Sequence, residues 1–480
     1  MSAMNQQRVA HELAAIEKGV FRFVKAEWVA NSEFADSGFS NSGFSGRTAA
    51  LHYQILADGF ERSFIETVQF PGAPNIDEFS PDRKMALARA LQILHVIAGV
   101  SYFKATNAPT LEFADSGQLD AALAELANAV YTHGLAEFCY QNQTEVRASF
   151  ASDTPVLAPA LALAPALALE ARALVAIGGG KDSLVSIEAL KKGNVPACAV
   201  WIGSSELIQG AAKASGLATL NIKRSVSPVL FALNSEGALN GHVPVTAINS
   251  AILLVAAVLY GYQHIVFSNE ASANAATLMH QGKAVNHQWS KSAAFEQAFA
   301  GLVHDSVAAN MQYFSLLRPY RELAITAKFA KFQQYDPVFS SCNRNFKILG
   351  AKPASRWCGQ CPKCHFVFLA LAPFVPKPRL LAIFGRNLLD ELALAPNFDA
   401  LIEWQGAHKP FECVGEAGES TAAFVALSAR ADWQEDALVQ RFALEIRPHL
   451  LNDLPSLSEL CLPDAQVTLP DAFAHLVEAL

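Results

Sequence analysis

The sequence predicts an α/β protein: a doubly wound parallel sheet of about five strands, preceded by an α+β N-terminal domain and followed by a cysteine-bearing element and C-terminal helices. Three observations predict it. From residue 172 to 340 short apolar runs alternate with helix-like segments, the pattern of parallel strands covered by helices on both faces. The first of those runs, ALVAI (173–177), delivers a glycine-rich loop, GGGKDS, to the carboxyl edge of the sheet, where open α/β sheets take up ligands. Cysteines 342, 358, 361 and 364 mark a separate element beyond it.

Bulk properties limit the reading. A chain of 480 residues with 52% hydrophobic residues can bury two or three cores. The net charge is −8 with no run of five or more like charges, which argues against a nucleic-acid partner. The opening MSAMNQQRVAHELAAIEKG has charges scattered through it and no uninterrupted apolar stretch, so it does not read as a secretory leader. The most apolar stretches, VLAPALALAPALAL (156–169) and AILLVAAVLYGY (251–262), fall short of the roughly 18 residues that span a bilayer. A soluble, cytoplasmic protein without a membrane partner is expected, its oligomeric state left open. Eight cysteines in so long a chain point to metal binding instead of a disulfide framework.

Taken in order, residues 1–150 mix strand-like ALHYQIL and RSFIETVQF with helix-like MALARALQILHVIAGVSYF and LDAALAELANAVYTHGLAEF, an α+β domain. NSEFADSGFSNSGFSG (31–46) within it reads as a glycine- and serine-rich loop. Residues 151–171, rich in Ala, Leu and Pro, read as a linker because prolines at that spacing break a helix. Strands then follow at LVAI (174–177), ACAVWI (197–202), ATLNIK (218–223), HIVFS (264–268) and MQYFSLL (311–317), which places a ligand-binding domain at 172–340. Residues 341–480 form the cysteine element and amphipathic helices.

The loop excludes two common phosphate-binding motifs. A Walker A loop needs Ser or Thr after Gly-Lys, and Asp182 stands there; a dinucleotide fingerprint needs a third glycine where Ser183 stands. Gly178, Gly179, Gly180, Lys181, Asp182 and Ser183 instead resemble the pyrophosphate loop S-G-G-x-D-S, with Gly178 in place of the first serine. Glycines allow close backbone approach, and a helix opening near Ser183 offers N–H groups and a positive dipole end. The resemblance implies an adenine nucleotide alpha hydrolase-like fold that cleaves ATP between its α- and β-phosphates with Mg2+. Asn269 and Glu270, which follow the strand HIVFS, face the same nucleotide, and Arg318 or Arg321 can reach phosphate or carboxylate with a guanidinium fork. LLRPYRELAITAKFAKF, which carries those arginines, resembles the superfamily's P-L-x-x-L segment, with Tyr320 in place of leucine.

Cys358, Cys361 and Cys364 have C-x2-C-x2-C spacing and Cys342 lies sixteen residues before them. Four thiolates make a closed, structural zinc site; an iron–sulfur cluster is the alternative. A lone cysteine followed by CGxCxxC after such a loop resembles the 7-cyano-7-deazaguanine synthases.

Together LQILHVIAGVSYFKA (91–105), GLAEFCYQN (134–142), AIGGGKDSLVSIE (176–188), FSNEASAN (267–274) and RWCGQCPKC (356–364) resemble the MurL family, the UDP-N-acetyl-α-D-muramoyl-L-alanyl-L-glutamate epimerases. That resemblance covers about residues 20–445. It implies an ATP- and Mg2+-dependent isomerase of peptidoglycan precursor synthesis, which inverts the terminal L-glutamate of UDP-MurNAc-L-Ala-L-Glu. The chemistry is consistent with it: a Cα–H beside a carboxylate is a very weak acid, and adenylation removes the charge that makes it so. His280, Lys283 and His287 are the candidate bases, since they follow the nucleotide-facing strand and a base needs a tunable pKa. Three rivals share parts of the pattern: a ligase of the deazaguanine type, a tRNA thiolase, which the acidic charge opposes, and a nucleotide sensor that catalyses nothing.

Overall fold

The computed structural model describes residues 19–29, 46–114, 119–151, 164–347, 350–450 and 455–480. The N-terminal stretch to residue 18, most of the SGF loop and residues 152–163 of the Ala/Leu/Pro segment lie outside them.

Among the described residues one nine-stranded sheet runs through the molecule in the order β11-β8-β5-β6-β7-β3-β2-β1-β4. Its parallel half is β5 (Glu170–Ala176), β6 (Ala197–Ile202), β7 (Ala218–Ser225), β8 (Tyr262–Phe267) and β11 (Gln312–Ser315). These are the five strands that the apolar runs predict. Strand order reverses at β5: the chain steps outward through β6 and β7, then returns to lay β8 and β11 on the other side. The loop after β5 therefore opens at a switch point, where no helix covers the strand ends.

The other half is largely antiparallel: β1 (Val20–Val29), β2 (Gly46–Ala57) and β3 (Phe60–Pro71), with β4 (Thr110–Phe113) parallel to β1. Strand β1 escapes the sequence reading, although Phe21 and Phe23 alternate into the core beside Tyr53. Among the described residues three strand-paired positions join the two halves of the sheet, Thr67 with Ser225, Val68 with Arg224 and Gln69 with Lys223.

Alternation along each strand feeds two cores, since successive side chains leave opposite faces. Leu174 of β5 and Ile265 of β8 pack with the aromatic residues of β1–β3 and with α1 (Pro81–Ala98), α2 (Ala121–Thr132) and α3 (Ala136–Asn142) nearby. Ala173, Val175 and Val266 face the opposite way, toward α4 (Lys181–Lys192) and the C-terminal helices. Helix α1 starts cleanly because Ser80 caps it and Pro81 occupies the first position. The stretch Pro81–Phe103 is the one described helix long and apolar enough to cross a membrane, and 83% of its apolar window is buried inside the protein. Its Arg83 donates to the Val258 and Leu259 carbonyls at 3.0 and 3.2 Å, at the C-terminus of α6 (Val245–Tyr260), which follows α5 (Glu206–Ala214) in the chain. Helices α7 (Ala293–Ser306), α8 (Glu322–Phe329), α9 (Pro362–Leu371) and α10 (Ala417–Ser428) complete the framework around the switch point.

The polar region 267–296 carries short elements of its own. Within it β9 (Leu278–His280) and β10 (Lys283–Val285) form a hairpin, turned by Gln281 and Gly282 at φ 49° and 76°, the left-handed pair that a two-residue hairpin turn requires.

Candidate active site

Helix α4 begins at Lys181 with Gly180 as its N-cap and no capping side chain. Its first N–H groups are thus left for a ligand, at the positive end of the helix dipole. Gly179 takes φ 78°, which a residue with a β-carbon adopts only with strain, and its carbonyl accepts from Ser340 N at 2.9 Å. The loop is therefore pinned to the segment leading into the first of the four clustered cysteines.

A cavity of about 290 Å³ opens here, at the low end of the ~300–1,000 Å³ typical of small-molecule sites. Gly178, Gly180, Asp182, Ser183 and Asn269 line it, as does Ser341 opposite the loop. Its apolar side is Ile177, Ile202, Leu253 and Phe267. Lys291, Lys363 and Cys413 also line it. Trp201 is 5% exposed and also lines the cavity, and its indole N–H has no partner among the described residues. An orphaned buried donor of that kind is what a bound ligand or water satisfies.

Three of the residues predicted to bind nucleotide do not line this cavity. Lys181 is fully buried and pairs with Glu322 and Asp182. Burial would discharge it, but Asp182 and Glu322 outweigh that and hold its proton firmly. Glu270 is buried behind Asn269, and its carboxyl is raised by burial and by the repulsion of Glu322. Burial would raise Glu322 too, yet Lys181 and Lys363 keep it ionised. Gly179 faces Ile208.

The arginines divide. Arg318, 4% exposed, donates to the Glu270 and Lys291 carbonyls at 2.9 and 2.7 Å and to Glu296 at 2.6 Å, so it fixes two backbone segments of the site. Arg321 is part-exposed and pairs with Glu416 at 3.1 Å.

None of the three proton-transfer candidates lines the cavity, and His280 and Lys283 are cross-strand partners. His280 lies on the β9–β10 hairpin with its ring 5.0 Å from Tyr140, and the exposed Lys283 pairs with Glu145 at 3.0 Å. His287 lies deeper, bound through Nδ1 to Glu137 of α3, with the nearby Cys413 thiol among the groups that raise its pKa. Lys291, Lys363, Glu322 and Cys413 stand out only in three dimensions. They come from four segments, and no spacing in the sequence links them.

Cys342, Cys358, Cys361 and Cys364 converge with all Sγ atoms within 4.8 Å. Individual separations are 3.4 Å (361–364), 3.7 Å (358–364) and 3.9 Å (342–361). Tetrahedral zinc with bonds of about 2.3 Å sets its sulfurs roughly 3.8 Å apart, so the donor set fits. Cys342 follows directly on Ser340 and Ser341, and the metal would fix that wall of the cavity.

An open parallel sheet with a glycine loop and a cavity at its switch point defines a ligand-binding α/β protein. Comparison with known proteins narrows the class. Residues 29–316 match the MurL N-terminal domain and residues 338–454 the MurL C-terminal domain. The UDP-N-acetyl-alpha-D-muramoyl-L-alanyl-L-glutamate epimerase of Xanthomonas oryzae pv. oryzae is 55% identical over 81% of this chain and 85% of its own length. Its namesakes from Salinispora tropica and a Micromonospora species are 41% and 40% identical, over 82% and 89% of this chain and 84% and 93% of their own lengths. The chain belongs to the MurL family.

Proposed function

We propose that this protein is an isomerase that epimerises the terminal glutamate of UDP-MurNAc-L-Ala-L-Glu, a step in making peptidoglycan precursors. The observation that carries this reading is the 55% identity to an epimerase of that name, extending over 81% of the chain.

Activation of the glutamate carboxylate by ATP is the chemical route the site supports. Gly178, Gly180 and the uncapped start of α4 suit phosphate oxygens, and Ile177, Ile202 and Leu253 offer an apolar seat for a nucleobase. Asp182 supplies a hard oxygen donor on the cavity wall, suited to the Mg2+ that accompanies ATP. Lys291 and Lys363 line the same cavity and could offset the charge of a carboxylate or a leaving phosphate. Attack of the carboxylate on the α-phosphorus gives an acyl-adenylate and pyrophosphate. The Cα proton then leaves with only one developing negative charge, on the enolate oxygen, where a cation can hold it. Reprotonation from the other face and hydrolysis release the D-epimer and AMP. Among His280, Lys283 and His287, the last is best supported for a part in proton transfer, through its contact with a cavity-lining residue.

Incubation with ATP, Mg2+ and UDP-MurNAc-L-Ala-L-Glu is expected to yield AMP, pyrophosphate and D-glutamate in the hydrolysed product. ADP and phosphate in their place would overturn adenylation. Pyrophosphate release with a 7-carboxy-deazapurine but not with the dipeptide would replace the epimerase reading with the ligase one, and no turnover with either would leave a nucleotide sensor.

A further inference from the structure

One cysteine in the cavity wall lies outside the metal set. Cys413 precedes α10, is partly exposed, and lines the same cavity as Gly178, Gly180 and Asp182. Cations from two distant segments, His287 and Lys291 in one and Lys363 in the other, act on its sulfur. Behind it stands His287, from the segment after β10; behind His287 stands Glu137, from α3. The order is thiol, imidazole, carboxylate, the arrangement in which a buried carboxylate orients an imidazole that in turn controls a nucleophile or base. Lys291 lines the cavity beside it, and the Lys363 ammonium donates to the Cys413 carbonyl, which holds the loop in place.

We propose that the Cys413 sulfur is the acid–base group that exchanges the Cα proton of the substrate glutamate, with His287 and Glu137 as positioning residues. The proposal rests on the epimerase reading above. In the deprotonating direction the Cα–H electron pair enters the Cα–C bond of the enolate, and the proton passes to Sγ. A water molecule on the opposite face gives the proton that re-forms Cα–H with inverted configuration, and the thiol gives its proton to the hydroxide so formed and returns to thiolate. One proton is lost and one gained, with no redox change.

The charges around the sulfur favour this role over His287 itself. Burial raises a thiol, but Lys291 and His287 outweigh it and bring Cys413 down to about 6. Burial would discharge His287, yet Cys413 and Glu137 raise it to about 9. At neutral pH the pair is thus thiolate and imidazolium, and the imidazolium cannot accept a proton while the thiolate can. Lys291, Lys363 and His287 face the sulfur with positive charge. Glu412 in its own loop and Glu137 behind His287 are the nearby carboxyls. His242, its ring 4.5 Å from that of His287, is pushed down to about 4 by burial and stays neutral.

The test uses the full chain with ATP, Mg2+ and UDP-MurNAc-L-Ala-L-Glu in D2O. In Cys413→Ser and Cys413→Ala, loss of Cα deuterium exchange is expected to exceed any loss of pyrophosphate release by about 10²-fold or more, within the range that general acid–base groups contribute. His287→Gln is expected to move the acid limb of kcat/KM from about 6 toward the ~8.5 of an ordinary thiol, with activity recovering at high pH; a purely structural histidine would not shift that limb. A measurement on the unaltered chain guards against misfolded variants. Alkylation at Cys413, read by peptide mass, should have its midpoint near pH 6 and be slowed by ATP plus substrate. Exchange retained in both cysteine variants, or an alkylation midpoint near that of a free thiol, overturns the proposal. Absence of epimerisation in the unaltered chain overturns the underlying reading instead.

Discussion

A β-carbon at Gly180 would lie 2.6 Å from the Ser341 hydroxyl, whereas one at Gly178 would meet nothing within 4 Å. Two glycines of one loop are therefore under different constraints. Gly178→Ser, which restores the residue usual in pyrophosphate loops, has room for its hydroxyl and should leave the unfolding free energy unchanged within about 0.5 kcal/mol. Gly180→Ala must turn the Ser341 hydroxyl out of the cavity wall. Loss of one hydrogen bond to a bound phosphate, about 1 kcal/mol, corresponds to a roughly fivefold weaker ATP affinity. Denaturant unfolding checks the first expectation and calorimetric titration with ATP the second, and unchanged affinity in Gly180→Ala would show that Ser341 plays no part. The glycines were legible in the sequence as a loop, but not which of them a neighbour confines, because Ser341 is 161 residues away and belongs to another element.

At the scale of elements, the four-cysteine cluster and the glycine loop act on one another through Ser340 and Ser341. Ser340 N donates to the Gly179 carbonyl, Ser340 Oγ donates to the Arg356 carbonyl at 2.7 Å, and Cys342 follows two residues on. A metal held by Cys342, Cys358, Cys361 and Cys364 would thereby anchor a wall of the cavity. The purified protein should contain about one zinc per chain, and chelation should lower ATP affinity before global unfolding, since the metal stabilises the site wall more than the distant antiparallel strands. Elemental analysis with a titration of chelator against ATP binding measures both; iron in place of zinc would reverse the assignment of the metal. The C-x2-C-x2-C pattern was readable directly from spacing. The β9–β10 hairpin was not, since two three-residue strands carry too little alternation to register.

For the molecule as a whole, the critical seam is the short antiparallel contact between β3 and β7. Glu66 of β3 is fully buried there, and Arg224 of β7 grips it through two bonds of 2.7 and 3.0 Å, while Tyr102 donates to it at 2.9 Å. Tyr102 in turn accepts from Ser227 N at 3.0 Å. Three residue pairs make a short strand contact, and this network reinforces it. Arg224→Met leaves the carboxylate buried without its partner and should destabilise by about 3–5 kcal/mol, whereas Glu66→Gln with Arg224→Met together should recover much of that loss. Denaturant unfolding of the single and double variants checks this, and equal destabilisation would mean that the charge is not the source.

The sequence by itself determined the local matters: five apolar runs of strand length, a glycine loop after the first, and four cysteines at metal spacing. Each is written within a few dozen residues, where periodicity and spacing act. Tertiary structure alone decided the long-range ones. It merged the two halves into a single sheet, turned Lys181 inward to Glu322 and Asp182, and left Lys291 and Lys363 at the cavity. It also brought Glu137, His287 and Cys413 together, from 137 to 413 along the chain. The physical reason is that a buried charge is defined by the partner that satisfies it. That partner is chosen by how helices pack across the sheet, and no motif of neighbouring residues records the choice.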